Sequence, residues 1–181
     1  MADSNITKRA LAASVKKLME EIPFEKISIA DICERCNMNR KSFYYHFRDK
    51  YDLINWIYDV EFLRISKPNA FSEQWMMALC NYLYENRTFY RKALKIKGQN
   101  SFRDHFTEMT TPAIEEYVRK SVTASFPEDY FIHAINFVSD AFLDSIVRWI
   151  SDINCEEPEQ FLKKLKFCVR LVANSSAKIN E

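Results

Sequence analysis

Apolar residues return every three or four positions along most of the chain: Leu11, Val15, Leu18 and Ile22, then Leu53, Ile54, Ile57 and Val60, then two longer stripes near the C-terminus. That interval is the helical repeat, which lines such residues up on one face. The spacing predicts a first helix over residues 7–22, closed by Pro23, whose ring cannot continue a helix. Phe24 and Ile27 pack the connection to a short second helix. Ser28, followed three residues later by Asp31, starts that helix, because the hydroxyl and the carboxylate satisfy free amides of its first turn. It runs to about Arg35 with Ile29, Ile32 and Cys33 inward, and residues 36–39 break the pattern.

A third helix over residues 40–47 keeps Phe43 and Phe47 on one side. Arg40, Lys41, Ser42, Tyr44, Tyr45 and His46 lie on the others. Two short helices joined by a tight turn form a helix-turn-helix, and a face of donors and flat rings suits the major groove of DNA. The turn of such a motif needs positive φ, commonly from glycine, yet the single glycine of the chain is Gly98. Asn37 takes its place, since asparagine tolerates the left-handed region better than other non-glycine residues. Asn39 then caps the third helix.

A fourth helix begins at Lys50 and runs through Leu53, Ile54, Trp56, Ile57 and Val60 toward Ile65, with Pro68 as its stop. Apolar residues on both its sides suit a helix packed between two layers. Residues 71–87 form a fifth helix dense in bulky groups and residues 88–95 a sixth. Residues 97–100 are a loop, with Gly98 as a helix C-cap. A further helix starts at residue 101, is interrupted at Thr110-Thr111-Pro112 and continues over residues 113–121. Two long amphipathic helices follow Pro127 and Pro158. The pattern predicts an all-α chain of about nine helices: a three-helix domain over residues 1–49 and a larger helical domain over residues 50–181.

Composition agrees, because one glycine and five prolines in 181 residues leave little material for hairpins. The net charge is only +1, but residues 1–50 hold ten Lys or Arg against seven Asp or Glu, leaving −2 for the remainder. A basic end suits DNA. Lys8 and Arg9 belong either to an arm that reaches phosphate or minor groove, or to a solvated helix face. With no membrane-length apolar run and no signal-peptide pattern, the expected location is cytoplasmic, with no membrane partner. An odd number of cysteines points to reduced thiols. Cys33-x-x-Cys36 has the spacing of half a metal or redox site but no second pair, so core thiols, no metal and no cofactor are expected. His46, His105 and His133 fall in no nucleophile, metal or phosphate motif, so no catalytic residue is expected. His105 with Asp104 and Glu108 reads as a polar helix face, and His133 as an interior or interface histidine.

ISIADI at residues 27–32, ahead of SFYYHFRDKYDLI at 42–54, resembles the DNA-binding domain of the TetR family of bacterial regulators, over residues 7–56. Asn37 stands where that family prefers glycine, and Pro23-Phe24 where Gly-Tyr or Gly-Phe is common. Residues 86–102, NRTFYRKALKIKGQNSF, resemble the C-terminal region of those members that control dihydroxyacetone kinase genes. The resemblance implies that Arg40, Lys41, Tyr44 and Tyr45 read bases and that Ser28, His46 and Lys50 hold phosphates, with Asn39 and Ser42 completing the DNA-facing set. It implies a homodimer on an inverted-repeat operator in double-stranded DNA. Its seam would be built from Phe131, Ile135, Val138, Phe142, Ile146 and Trp149 with Phe161, Leu165, Cys168 and Val172, unless those stripes fill the monomer core. It implies a regulatory C-terminal domain and a repressor released by a small-molecule effector, with Trp75, Met76, Leu79, Tyr82, Leu83, Phe102, Phe106 and Tyr117 around the pocket, unless these too are core. A protein co-regulator in place of the effector is the alternative. A helical scaffold or enzyme retaining the motif is the remaining one.

Overall fold

The computed structural model describes residues 2–63, 72–97, 101–121 and 127–176. Among them are nine α-helices: α1 (Ala2–Glu21), α2 (Ile29–Arg35), α3 (Arg40–His46), α4 (Lys50–Tyr58), α5 (Glu73–Glu85), α6 (Arg87–Ala93), α7 (Phe102–Ser121), α8 (Glu128–Ser151) and α9 (Pro158–Ser176). A 3-10 turn, Phe24–Lys26, precedes α2, and α4 passes into a π-helical stretch, Asp59–Leu63. The expected stops of α4 beyond Leu63, and Gly98, lie outside the described residues. The chain divides into two compact units, one of Met1–Lys67 with Asn86–Thr110 and one of Pro68–Glu85 with Thr111–Glu181. The grouping places α4, α6 and the first half of α7 with the three N-terminal helices.

In the first unit, α1 lies against α2, α3, α4 and α6. Leu11, Val15, Met19, Ile27, Ile32, Phe43, Leu53 and Ile57 are buried between them. Each such side chain contributes roughly 1.5–3 kcal/mol by leaving water. Buried Ser14 donates its hydroxyl to the Ile32 carbonyl at 2.7 Å, which satisfies it and ties α1 to α2. An aromatic cluster closes the far side: Tyr58 meets Phe62, Phe102 and Phe106 with ring centroids 5.4–5.6 Å apart. Lys16 pairs with Glu61 at 2.6 Å, and the Lys92 ammonium caps the carbonyls of Met19 and Glu20 at the end of α1.

In the second unit, α5 packs along α9. Trp149 stacks on Phe161 at 4.3 Å with the planes 4° apart, and Tyr84 stacks near Trp149 at 6.1 Å. The polar edges are satisfied: Trp149 Nε1 donates to the Glu156 carbonyl at 2.8 Å and the Tyr84 hydroxyl to Glu157 Oε1 at 2.8 Å. This ring stack is why α8 and α9 meet at their α8–α9 turn.

The element interrupted in expectation at Thr110-Thr111-Pro112 is whole. α7 is continuous, with Pro112 inside it. Proline lacks the donor that would reach back four residues. Two residues earlier, the Thr110 hydroxyl donates to the carbonyls of Phe106 and Thr107, and Ala113 and Ile114 are buried just beyond. Packing on both sides of the proline holds the helix through it.

Candidate nucleic-acid interface

The exposed face of α3 is set by locks at both its ends and beneath it. Ser28 is in extended backbone and caps α2: its Oγ accepts from the Asp31 amide at 3.2 Å, while Asp31 Oδ2 accepts from the Ser28 amide at 2.8 Å. Those hydrogen bonds hold the Asp31 carboxyl below the usual carboxylate range. At the other end of α2 the Met38 amide donates to the Cys33 carbonyl at 2.8 Å and the Asn37 amide to that of Glu34 at 3.1 Å. This is a Schellman closure, and Asn37 at φ 54° is the left-handed residue it requires. Asn39 Oδ1 then accepts from the Ser42 amide at 2.8 Å and from the Ser42 hydroxyl at 3.2 Å, starting α3. Asn39 and Ser42 thus serve the cap with the atoms expected to face DNA.

Phe43 is fully buried and Phe47 nearly so, which fixes the rotation of α3 about its axis. Arg40 and Lys41 are exposed, Tyr44 is 58% exposed and Tyr45 83%. These four expected base readers share the free face of a helix whose other face is locked. His46 is half-buried against the Tyr45 ring at 4.9 Å. Burial, and then the charge of Lys8, hold its pKa below the ordinary histidine value. Lys8 is helical rather than part of an arm, and its ammonium lies over the rings of Phe47 at 5.7 Å and Trp56 at 5.6 Å. Its place at the end of α3 comes from the fold, not from an arm. Arg48, absent from the expected DNA-facing set, has a side chain 82% exposed at the corner after α3.

Lys50, expected on phosphate, is turned inward: its ammonium donates to the carbonyls of Phe24 and Ile27 at 2.8 Å and of Glu25 at 3.3 Å. Burial lowers its pKa, with Glu25 opposing. Cys33 is buried and Cys36 half-buried, with Cys36 Sγ donating to the Ile32 carbonyl at 3.2 Å. Among the described residues no group of three His, Cys, Asp or Glu side chains could hold a metal ion.

The eight residues expected around an effector fall in both units. Phe102 and Phe106 are buried in the aromatic cluster of the first. Trp75, Met76, Leu79 and Leu83 are buried in the second, where Tyr82 is half-buried and Tyr117 exposed. None of the eight lines either of two concavities found in these units. The first, of about 480 Å³, is polar and includes Asp52, Asp104, His105 and Glu108. His105 Nε2 is 2.7 Å from Asp59 Oδ1, a partner on another element that its own helix could not reveal. The second, of about 450 Å³, gathers Trp149, Phe161, Leu165 and Cys168 from the expected seam.

Of that seam, Ile135, Phe142, Ile146, Trp149 and Phe161 are buried within the second unit, while Phe131, Val138 and Leu165 are half-buried and Cys168 is exposed. The side chain of Val172 lies outside the described residues. The exposed apolar residues on these helices are instead Tyr130, Ile132 and Phe137 on α8 and Phe167, Val169 and Leu171 on α9. His133, expected inside or at an interface, is exposed in the single chain.

Residues 10–57 match the family of bacterial regulatory proteins, tetR family, and residues 72–170 match the transcriptional regulator C-terminal region. The HTH-type dhaKLM operon transcriptional activator DhaS of Lactococcus lactis subsp. lactis (strain IL1403) is 31% identical over 99 residues, 53% of this chain and 53% of its own, so the alignment spans about half of that relative. Among solved structures, the dihydroxyacetone kinase operon activator DhaS superposes with a TM-score of 0.63 at 22% identity, over 92% of this chain and 97% of its own. A TetR transcriptional regulator from Streptococcus agalactiae 2603V gives 0.69 at 19% identity, over 90% and 93%. At these identities the likeness to the solved structures is one of fold.

Proposed function

The chain belongs to the TetR family of bacterial transcriptional regulators, which bind DNA and are not enzymes, and we propose that it acts at an operator. It binds an inverted-repeat operator in double-stranded DNA as a homodimer, in the cytoplasm, one α3 helix in the major groove of each half-site. The observation that carries this reading is the division of α3: Phe43 and Phe47 locked inward, and Arg40, Lys41, Tyr44 and Tyr45 left free. The free set combines cationic donors for guanine edges with rings for thymine methyls and backbone sugars. Ser28 and His46 flank it as phosphate donors, fixing register without sequence preference.

Two copies are needed because one seven-residue helix reads only a few base pairs. The exposed Tyr130, Ile132, Phe137, Phe167 and Leu171 support the two-copy reading better than the buried stripes do. The same exposed residues support a protein co-regulator as the second reading. Repression released by a small-molecule effector is the first reading of the output, since an occupied operator blocks transcription. Activation is the second, favoured by the relative named as the activator of the dhaKLM operon. An effector of either kind acts only by binding one spacing of the two α3 helices better than the other.

Anisotropy titrations of labelled operator test the DNA face. Arg40→Ala loses roughly 1–3 kcal/mol and relaxes preference at one base pair of each half-site. Ser28→Ala weakens all sequences alike. A uniform loss from Arg40→Ala, with the base preferences intact, means that this face does not read sequence.

A further inference from the structure

We infer that Lys50 is a positioning residue of the DNA face: it holds the peptide unit joining Ile27 to Ser28, sets where α2 presents its N-terminus, and does not itself carry a phosphate. This rests on the DNA-binding reading above. Lys50 sits in the first turn of α4, where the helix dipole disfavours a cation. Its place there therefore needs another reason. The ammonium donates to three carbonyls, those of Phe24 and Ile27 at 2.8 Å and Glu25 at 3.3 Å, and lies 4.4 Å from the centroid of the Phe24 ring. An ammonium has three protons, and these acceptors occupy all of them on the protein side.

The carbonyl of Ile27 and the amide of Ser28 belong to one planar peptide unit. Lys50 holds its oxygen at 2.8 Å, and its N–H donates to Asp31 Oδ2 at 2.8 Å. Gripped at both ends, the plane has one orientation. The cation at the oxygen also polarises the N–H toward the carboxylate. Asp31 returns its own amide to Ser28 Oγ at 3.2 Å, so the capping box of α2 is tied to the first turn of α4 through Lys50. Phe24, whose ring lies under the ammonium, is itself wedged edge-on against Tyr51 at 5.3 Å. A lysine serving phosphate would have to abandon all these contacts.

The test uses the intact chain and the duplex that the wild type selects from a random pool. Lys50→Arg and Lys50→Met each weaken binding about tenfold or more, the loss expected for hydrogen bonds to a charged group. The slope of log affinity against log salt stays unchanged, because no cation on phosphate is lost. Arginine fails despite its charge, since a planar fork cannot converge on three carbonyls as an ammonium does. In the free protein, hydrogen exchange at the Ser28 and Asp31 amides accelerates in both variants. Should Lys50→Met not fold, as judged by its helical circular dichroism, Lys50→Arg carries both readouts. The inference is overturned if Lys50→Arg binds like wild type while Lys50→Met flattens the slope by about 0.9, the signature of one lost phosphate contact. Unchanged exchange at Ser28 and Asp31 overturns it as well. A wild type that selects no duplex would refute the DNA-binding reading instead, and the exchange result would still decide whether Lys50 sets the start of α2.

Discussion

Burial sorts the single residues by what they can react with. It raises the pKa of the Cys33 and Cys36 thiols and pushes Cys80 up to about 12, whereas Cys168 is exposed on α9. Only a thiolate alkylates. Limited iodoacetamide treatment followed by peptide mass spectrometry is expected to label Cys168 first and Cys80 only after unfolding; equal rates at the two would contradict the burial. His46 titrates in the opposite sense. Its pKa in the free chain is depressed, so the folded state resists protonation, and its contribution to stability is full above the unfolded value and lost as pH falls. A neighbouring phosphate favours the charged ring, so binding takes up a proton and operator affinity rises as pH drops below the ordinary histidine range. His46→Asn is expected to flatten that rise; a rise of the same size in the variant would place the proton elsewhere.

At the scale of the element, the helix ends that rest on neighbouring residues were readable and those that rest on distant ones were not. α2 begins and ends where Ser28, Asp31 and Asn37 indicate, since caps and the Schellman turn are settled within a few residues. α7 runs through Pro112, and α4 ends in a π-helical stretch, and the residues beside each position signal neither. Lys50 was expected on phosphate, and its carbonyl partners, 23 to 26 positions earlier in the chain, could not be read from the residues beside it. Aromatics at helical spacing, such as Phe102 and Phe106, look alike in sequence whether they line a cavity or fill a core; the cluster around Tyr58 makes these two core. The turn offers the sharpest check. A non-glycine residue in the left-handed region costs roughly 1–2 kcal/mol, less for asparagine. In urea unfolding, Asn37→Ala is expected to lose about 1 kcal/mol and Asn37→Gly to match or exceed wild type. Equal stability for the alanine variant would mean the turn bears no such demand.

At the scale of the whole molecule, the apolar residues of α8 and α9 divide into a buried set and an outward set that helical spacing alone did not separate. Ile146 and Trp149 belong to the interior of the second unit, while Phe137, 61% exposed, and Phe167, 65% exposed, face outward. Charging the two sets therefore separates them. Ile146→Glu is expected to unfold the chain, and Phe137→Glu or Phe167→Glu to leave a folded monomer in sedimentation velocity; a Phe137→Glu, Phe167→Glu double variant that sediments as a dimer would move the seam elsewhere. The account as a whole holds that two copies of α3 read one duplex. Its most direct test is selection of binding sites from a random duplex pool by the purified wild-type chain. The expected result is one inverted repeat whose half-site centres stand about 34–36 Å apart or a longer interval. Recovery of no common sequence, or of a single unrepeated site, would contradict it.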